Sequence, residues 1–234
     1  MMRALFAPQV GLKWCGYYLA PAPNHQPTSW MGARAILQPM GWGFAPIYVG
    51  QQMADPKKNF STILTPAQGT IDAAEAASLA TSEGFPANSV IFLDIESGGP
   101  LSPEMKAYAT AWQQGLTNNN YSPGIYCSHR VLSDLQAAIP NAAYWIFYLN
   151  ALGQNSPIYT PPLPDNDLGD SGYGGIAVWQ YAQASDSGCY IQLNSTQTLS
   201  NVDLNVALTS DPSSIIPAGG SRFSRWLAGL FKRR

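Results

Sequence analysis

Short runs of β-branched and aromatic residues, bounded by glycine, proline or serine, recur along this chain and predict strands. They are Trp14 to Ala20 (WCGYYLA), Phe44 to Gly50 (FAPIYVG), Val90 to Ser97 (VIFLDIES) and Ser122 to Ser128 (SPGIYCS), followed by Ala143 to Asn150, Gly175 to Ala182 and Val202 to Leu208. Met2 to Ala7 is a less regular candidate. The runs are nearly continuous in apolar residues, which fits parallel strands covered on both faces. Between the earlier runs the period becomes helical. Thr28–Ser29 caps a segment reaching about Met40, and Thr65–Pro66 pairs an N-cap with a first-turn proline ahead of a stop at Gly84. Ser102–Pro103 repeats that start; Tyr108, Trp112 and Leu116 then recur at i, i+4 and i+8, as do Val131, Leu135 and Ile139 before Pro140.

The order is therefore βαβα to about residue 150, then strands without good helices. Alternating βα units imply a parallel sheet. Eight candidate strands suit a closed barrel better than an open sheet, though the pattern alone does not choose, and the helix-poor last third makes such a barrel irregular. Residues 1–208 read as one barrel domain. Residues 209–221 (TSDPSSIIPAGGS) read as a linker. In residues 222–234, Phe223, Trp226, Leu227, Leu230 and Phe231 share one helical face, with Arg222, Arg225, Lys232 and Arg233 elsewhere. Such a short basic amphipathic helix fits peripheral contact with an anionic membrane or a protein partner, and equally packing on its own domain.

Composition narrows the class. The 234 residues are 46% hydrophobic and only 11% charged, the reverse of a disordered composition. Five of the 12 basic residues follow position 221, which leaves seven against all 14 acidic residues in the body. An acidic body with no basic run is a poor nucleic-acid binder. No apolar run approaches the roughly 20 residues of a membrane span. No secretory signal is visible in MMRALFAPQVGLKW. Cys15, Cys127 and Cys189 are far apart, without a C-x-x-C, and the glycine-rich phosphate motifs are missing, so nothing points to a metal or a cofactor.

The sharpest chemical feature is Asp94 and Glu96, closing the run V-I-F-L-D-I-E. Alternation along a strand sends both carboxylates to one face, about 7 Å apart. The C-terminal end of a parallel strand is where barrel enzymes place catalytic groups. Two acids this close separate in pKa, so one can stay protonated at neutral pH, the arrangement glycoside hydrolysis requires. The alternative is a pair that only caps a strand end. Asp203, in N-V-D-L-N-V, shares a face with Asn205 and could join the cluster or be an ordinary turn residue. Aromatics crowd the strand ends: Tyr17, Tyr18, Tyr48, Tyr126, Trp145, Tyr148, Trp179 and Tyr181. Flat rings with a polar rim suit sugars, although aromatics also dominate cores.

Taken in order, PIYVG (46–50), VIFLDIES (90–97), PGIYCS (123–128), YWIFYLN (144–150), AVWQYA (177–182) and VDLNV (202–206) resemble the glycoside hydrolase family 25 lysozymes. The chain is still more similar to a bacterial glycoside-hydrolase-like domain of unknown function that shares their barrel. The resemblance covers about residues 10–208. It implies an irregular TIM-type (β/α) barrel, with five βα units and then three strands. It also implies peptidoglycan or a related wall glycan as substrate, cut at a β-1,4 bond, and hence an extracellular or cell-envelope setting. By that resemblance Glu96 is the general acid, Asp94 its partner carboxylate and Asp203 the acid of the closing strand. Tyr18, Tyr48, Tyr126, Tyr148, Trp179, Gln180 and Tyr181 are the expected sugar contacts. One departure stands out. Members of these families begin with a G-[IF]-D strand, whereas this chain has no Asp or Glu before Asp55. The expectation is a lysozyme-like hydrolase, and the alternative is a barrel that holds wall carbohydrate without cutting it or serves as a tethered accessory protein.

Overall fold

The computed structural model describes residues 11–149, 158–183, 189–192, 196 and 198–216. The candidate strand 2–7, the last expected strand residue Asn150, residues 217–221 and the basic segment 222–234 lie outside them.

The chain alternates β1 (Trp14–Tyr18), α1 (Arg34–Leu37), β2 (Gly43–Tyr48), α2 (Pro66–Ser82), β3 (Val90–Ile95), α3 (Pro103–Asn118), β4 (Ser122–Ser128), α4 (Leu132–Ala138) and β5 (Ala143–Phe147). Then come β6 (Ile158–Tyr159), β7 (Val178–Ala182), β8 (Cys189–Gln192), β9 (Thr198–Val202) and β10 (Leu204–Ala207). Seven strands form one curled sheet in the order β1-β2-β3-β4-β5-β7-β10, and β6-β8-β9 form a small second sheet. The pairs from β1 to β7 are parallel, and β10 runs antiparallel to β7. This is the half-barrel of an irregular TIM-type fold, and each of the seven runs expected between residues 14 and 208 contributes a strand to its main sheet.

Strand alternation divides the interior into two layers. Outward residues such as Ile91, Leu93 and Ile95 pack beneath the helices, where Tyr108, Trp112 and Leu116 of α3 are fully buried. Inward residues form a second core of Ala45, Ile47, Val90, Phe92, Trp145 and Val178. The α2 helix starts at Thr65, whose hydroxyl accepts from the Gln68 amide, and α3 starts at Ser102 in the same way. These two helices meet closely because Gly69 and Gly115 carry no side chain. A Cβ would lie 2.4 Å from the Tyr108 carbonyl oxygen at Gly69 and 2.6 Å from the Ala73 Cβ at Gly115.

Two expectations change. The helix expected over residues 28–40 contracts to α1 and a following 3-10 turn, Gln38–Met40. Pro39 supplies no amide to that turn, and Gly41 ends it at φ 86°. The chain before α1 is instead held in turns, with the Gly32 amide 2.9 Å from the Glu83 carboxylate. The single strand expected over Val202 to Leu208 is divided: β9 belongs to the small sheet and β10 to the main one, and Asp203 lies at the crossing.

Part of the expected linker belongs to the barrel. Pro212, Ser213 and Ile215 are buried, and Ile215 joins the inward core. Apolar Ile215 and the side chain of Asp211 account for this. Asp211 accepts from the Phe44 amide at 3.0 Å, from the Ser213 amide at 3.2 Å and from the Ser213 hydroxyl at 2.8 Å. The segment thus seals the N-terminal end of the strands. Asp211→Ala leaves those donors unpaired, so urea unfolding should show a loss of about 1–3 kcal/mol. An unchanged midpoint and slope would show that the floor adds nothing to stability.

Candidate functional site

A cleft of about 690 Å³ extends from Lys13, Trp42 and Ser210 at the N-terminal end of the parallel strands to Tyr18 and Asp94 at their C-terminal ends. It runs between β1 and β10, the two ends of the main sheet, and its lining includes Tyr18, Asp94, Tyr126, Gln180, Tyr181 and Asp203. Alternation along β3 sends Val90, Phe92 and Asp94 inward in turn. The first two sit in the apolar core, and the third emerges into the cleft.

Asp94 is only 3% exposed, and its Oδ1 has no hydrogen-bond partner among the described residues. Burial away from water and the neighbouring Glu96 carboxylate push its pKa from 3.8 up to about 8, with Lys58 opposing. Glu96 is not among the residues that line the cleft; its side chain is 39% exposed and ion-paired to the Lys58 ammonium. The structure thus brings Asp94 and Glu96 together in unlike surroundings.

Asp203 reaches the same neighbourhood from the far side of the cleft. Its charge, with those of Asp94 and Glu96, raises the pKa of the Tyr18 and Tyr126 phenols, after burial as the largest cause. The Tyr126 hydroxyl donates to Gln180 Oε1 at 3.0 Å. Tyr18 is 37% exposed and stacks on His25, ring centres 4.5 Å apart. Tyr181 also borders the cleft, but most of it is buried in the outer core beside Trp179, ring centres 5.7 Å apart.

Three expected sugar contacts are placed elsewhere. The Tyr48 hydroxyl donates to Glu75 of α2, on the helix side of the sheet. Trp179 is fully buried in the outer core and donates to the Tyr148 carbonyl at 2.9 Å. Tyr148 packs against His129 and Tyr173, at 4.6 and 5.3 Å between ring centres. In each case the residue sits one position out of phase with the inward set.

Two glutamines contribute through contacts that only the structure shows. The Gln52 amide donates to the Asp94 carbonyl at 2.7 Å and accepts from the Glu96 amide at 3.0 Å. It continues the ladder where β2 pairing ends at Tyr48↔Leu93. Gln51 anchors the adjoining loop, accepting from the Ser61 hydroxyl at 2.6 Å and the Ile63 amide at 3.0 Å. Nothing in the periodicity marks either glutamine, since both follow the strand. Trp145 lines the cleft with its indole N–H on Asn205 Oδ1 at 2.9 Å, and its ring meets Trp14, Phe92 and Tyr126 edge-on.

Residues 7–207 match the family described as Rv2525c-like, glycoside hydrolase-like domain. The chain belongs to that family. No curated protein sequence matches it. Among solved structures, an uncharacterized B. stearothermophilus protein is similar at 21% identity and TM-score 0.55, covering 88% of this chain and 91% of that one. The glycosyl hydrolase 25 GHIP of Streptococcus pneumoniae is similar at 14% identity and TM-score 0.52, covering 82% and 74%. The autolysin LytC of Streptococcus pneumoniae, solved with a synthetic peptidoglycan ligand, is similar at 11% and 0.55, covering 88% of this chain and 42% of that one. At these identities the likeness is one of fold.

The raised pKa of Asp94 makes stability depend on pH. The unfolded chain releases this proton near its ordinary 3.8 and the folded chain only near 8. The folded state therefore binds the extra proton between those values, and its stability from this group is full below about pH 4 and lost as pH rises through about 8. Relative to the parent, Asp94→Asn should show a melting-temperature advantage that grows from pH 4 to pH 8. A constant difference across that range would contradict this. Gln52→Leu strips partners from the Asp94 carbonyl and the Glu96 amide. It should cost about 1–3 kcal/mol in urea unfolding, and a cost near zero would show that water replaces it.

Proposed function

We propose that this chain is a lysozyme-type glycoside hydrolase acting on bacterial peptidoglycan or a related wall glycan. One observation carries the reading: Asp94, buried with its pKa raised, lines an open cleft with tyrosine and tryptophan in its walls and adjoins an ion-paired Glu96. Glycosidic cleavage needs a carboxyl to protonate the leaving oxygen and a carboxylate to attack or stabilise the anomeric centre, or to activate water. The family resemblance puts the acid at Glu96. The surroundings here favour the opposite division, with Asp94 holding the proton and Glu96 supplying the negative charge. Asp203 adds a third carboxylate across the cleft. Tyr18, Tyr126, Gln180 and Tyr181 are the proposed sugar contacts, while Tyr48, Tyr148 and Trp179 hold the strands that present them. The fold shared with an autolysin that was solved with a synthetic peptidoglycan ligand supports the substrate class.

A second reading has its own observation. Trp14, Gly16 and Tyr18 of β1 carry no carboxylate, and no acidic residue precedes Asp55. A barrel lacking the acid of the family's first strand could grip wall glycan without cutting it. Reducing-end release from purified peptidoglycan separates the two. Hydrolysis by the parent, reduced about 100-fold or more in Glu96→Gln and in Asp94→Asn with folding intact, supports the enzyme. No release by any form, with co-sedimentation of the parent, supports the binding module.

A further inference from the structure

Lys58 belongs to no strand or helix of the barrel, yet several contacts fix where its ammonium lies. Residues 55–58 form a tight turn: the Lys58 amide donates to the Asp55 carbonyl at 3.1 Å, and the Lys57 amide to the Asp55 carboxylate at 2.8 Å. The loop carrying this turn is fastened on the barrel side, where the Gln52 amide N–H meets the Ser61 carbonyl at 3.0 Å. The Gln51 side chain holds its far limb at Ser61 and Ile63. Lys58 itself lies over the Phe60 ring, 4.9 Å from its centre. Its ammonium meets the carboxylate of Glu96, whose own backbone amide is held by Gln52. One loop therefore grips both the main chain and the side chain of Glu96.

We propose that Lys58 is a positioning residue that holds the Glu96 carboxylate in place and, as its counter-ion, limits how strongly that charge repels a second one on Asp94. The inference deepens the hydrolase reading and rests on it for its catalytic meaning. An isolated surface pair contributes little to stability, and the role here is different. Glu96 adjoins a buried carboxyl, where charge is poorly screened, so its counter-ion decides how strongly Asp94 is repelled. The other groups facing the pair all disfavour a second negative charge or carry none: Tyr18 from β1, Tyr126 and Cys127 from β4, Asp203 at the start of β10, and Asp55 in the turn of Lys58 itself. Among the described residues, Lys58 is the one cation whose charge acts on Asp94. Removing it leaves Glu96 unneutralised beside Asp94, which should then hold its proton to higher pH.

The test is a carboxyl-carbon NMR titration of the full chain, parent beside Lys58→Met and Lys58→Arg, with reducing-end release measured across pH on the same samples. Because the Lys58 side chain is 48% exposed, both variants should fold, and thermal melting checks this. The expected result is an upward move of the Asp94 midpoint by about half a pH unit or more in Lys58→Met, with Lys58→Arg returning it toward the parent value. The basic limb of kcat/KM for glycan cleavage should move with it. A midpoint unchanged or lowered in folded Lys58→Met overturns the proposal. If the midpoint moves as expected while no form cleaves glycan, the positioning role of Lys58 stands and the hydrolase reading falls.

Discussion

A carboxyl group withdrawn from water at the end of β3 is the constraint around which the mouth of this barrel is arranged. Asp94 follows Val90 and Phe92 on the inward face, so the pleat that fills the lower barrel with apolar side chains also delivers an acid to its upper rim. Holding that acid charged would cost several kcal/mol without a partner, and its Oδ1 has none among the described residues. The fold resolves the conflict by letting it keep its proton. Glu96, two residues further on, leaves the sheet, meets solvent and takes Lys58. The chemical difference between the two carboxyls therefore follows from how far along one strand each lies.

The β2–α2 loop turns that strand end into a fixed geometry. Gln52 pairs with β3 in place of a strand, and the buried Tyr108 hydroxyl donates to Asp72 at 2.6 Å while accepting the Gln51 amide at 3.1 Å. Gln68 completes the Asp72 shell at 2.7 Å. Helices on the outside of the sheet thereby brace a loop that works on the inside. Polar groups buried this thoroughly hold one arrangement, because each lost contact leaves a donor or acceptor unpaired.

How much of this was legible depends on the interaction concerned. Strand positions followed from uninterrupted apolar runs, and α2 and α3 from their Ser/Thr-Pro starts. The Asp94/Glu96 pair followed from strand alternation. Alternation also holds the reason Tyr48 and Trp179 miss the cleft, since each neighbours an inward residue, Ile47 and Gln180 respectively. Aromatic density alone conceals that phase. Gln52 and Lys58 were invisible because they act across the fold from a loop with no period. The crossing at Asp203 was hidden for a related reason: V-D-L-N-V reads as one strand, and only the partners on either side show that it serves two sheets.

The floor of the barrel bears on the order in which the protein assembles. The hydrogen bond from the Phe44 amide to Asp211 joins residues 167 apart in sequence. Such distant contacts form late, because a long loop must close before they return any free energy. On the ribosome, β2 emerges well before the segment that caps it. The apolar lower barrel, with Ile47, Phe92 and Trp145, therefore waits for Ile215 to leave the exit tunnel. During synthesis the nascent chain exposes an unsealed hydrophobic end, which makes this interval the one in which a chaperone has most to bind.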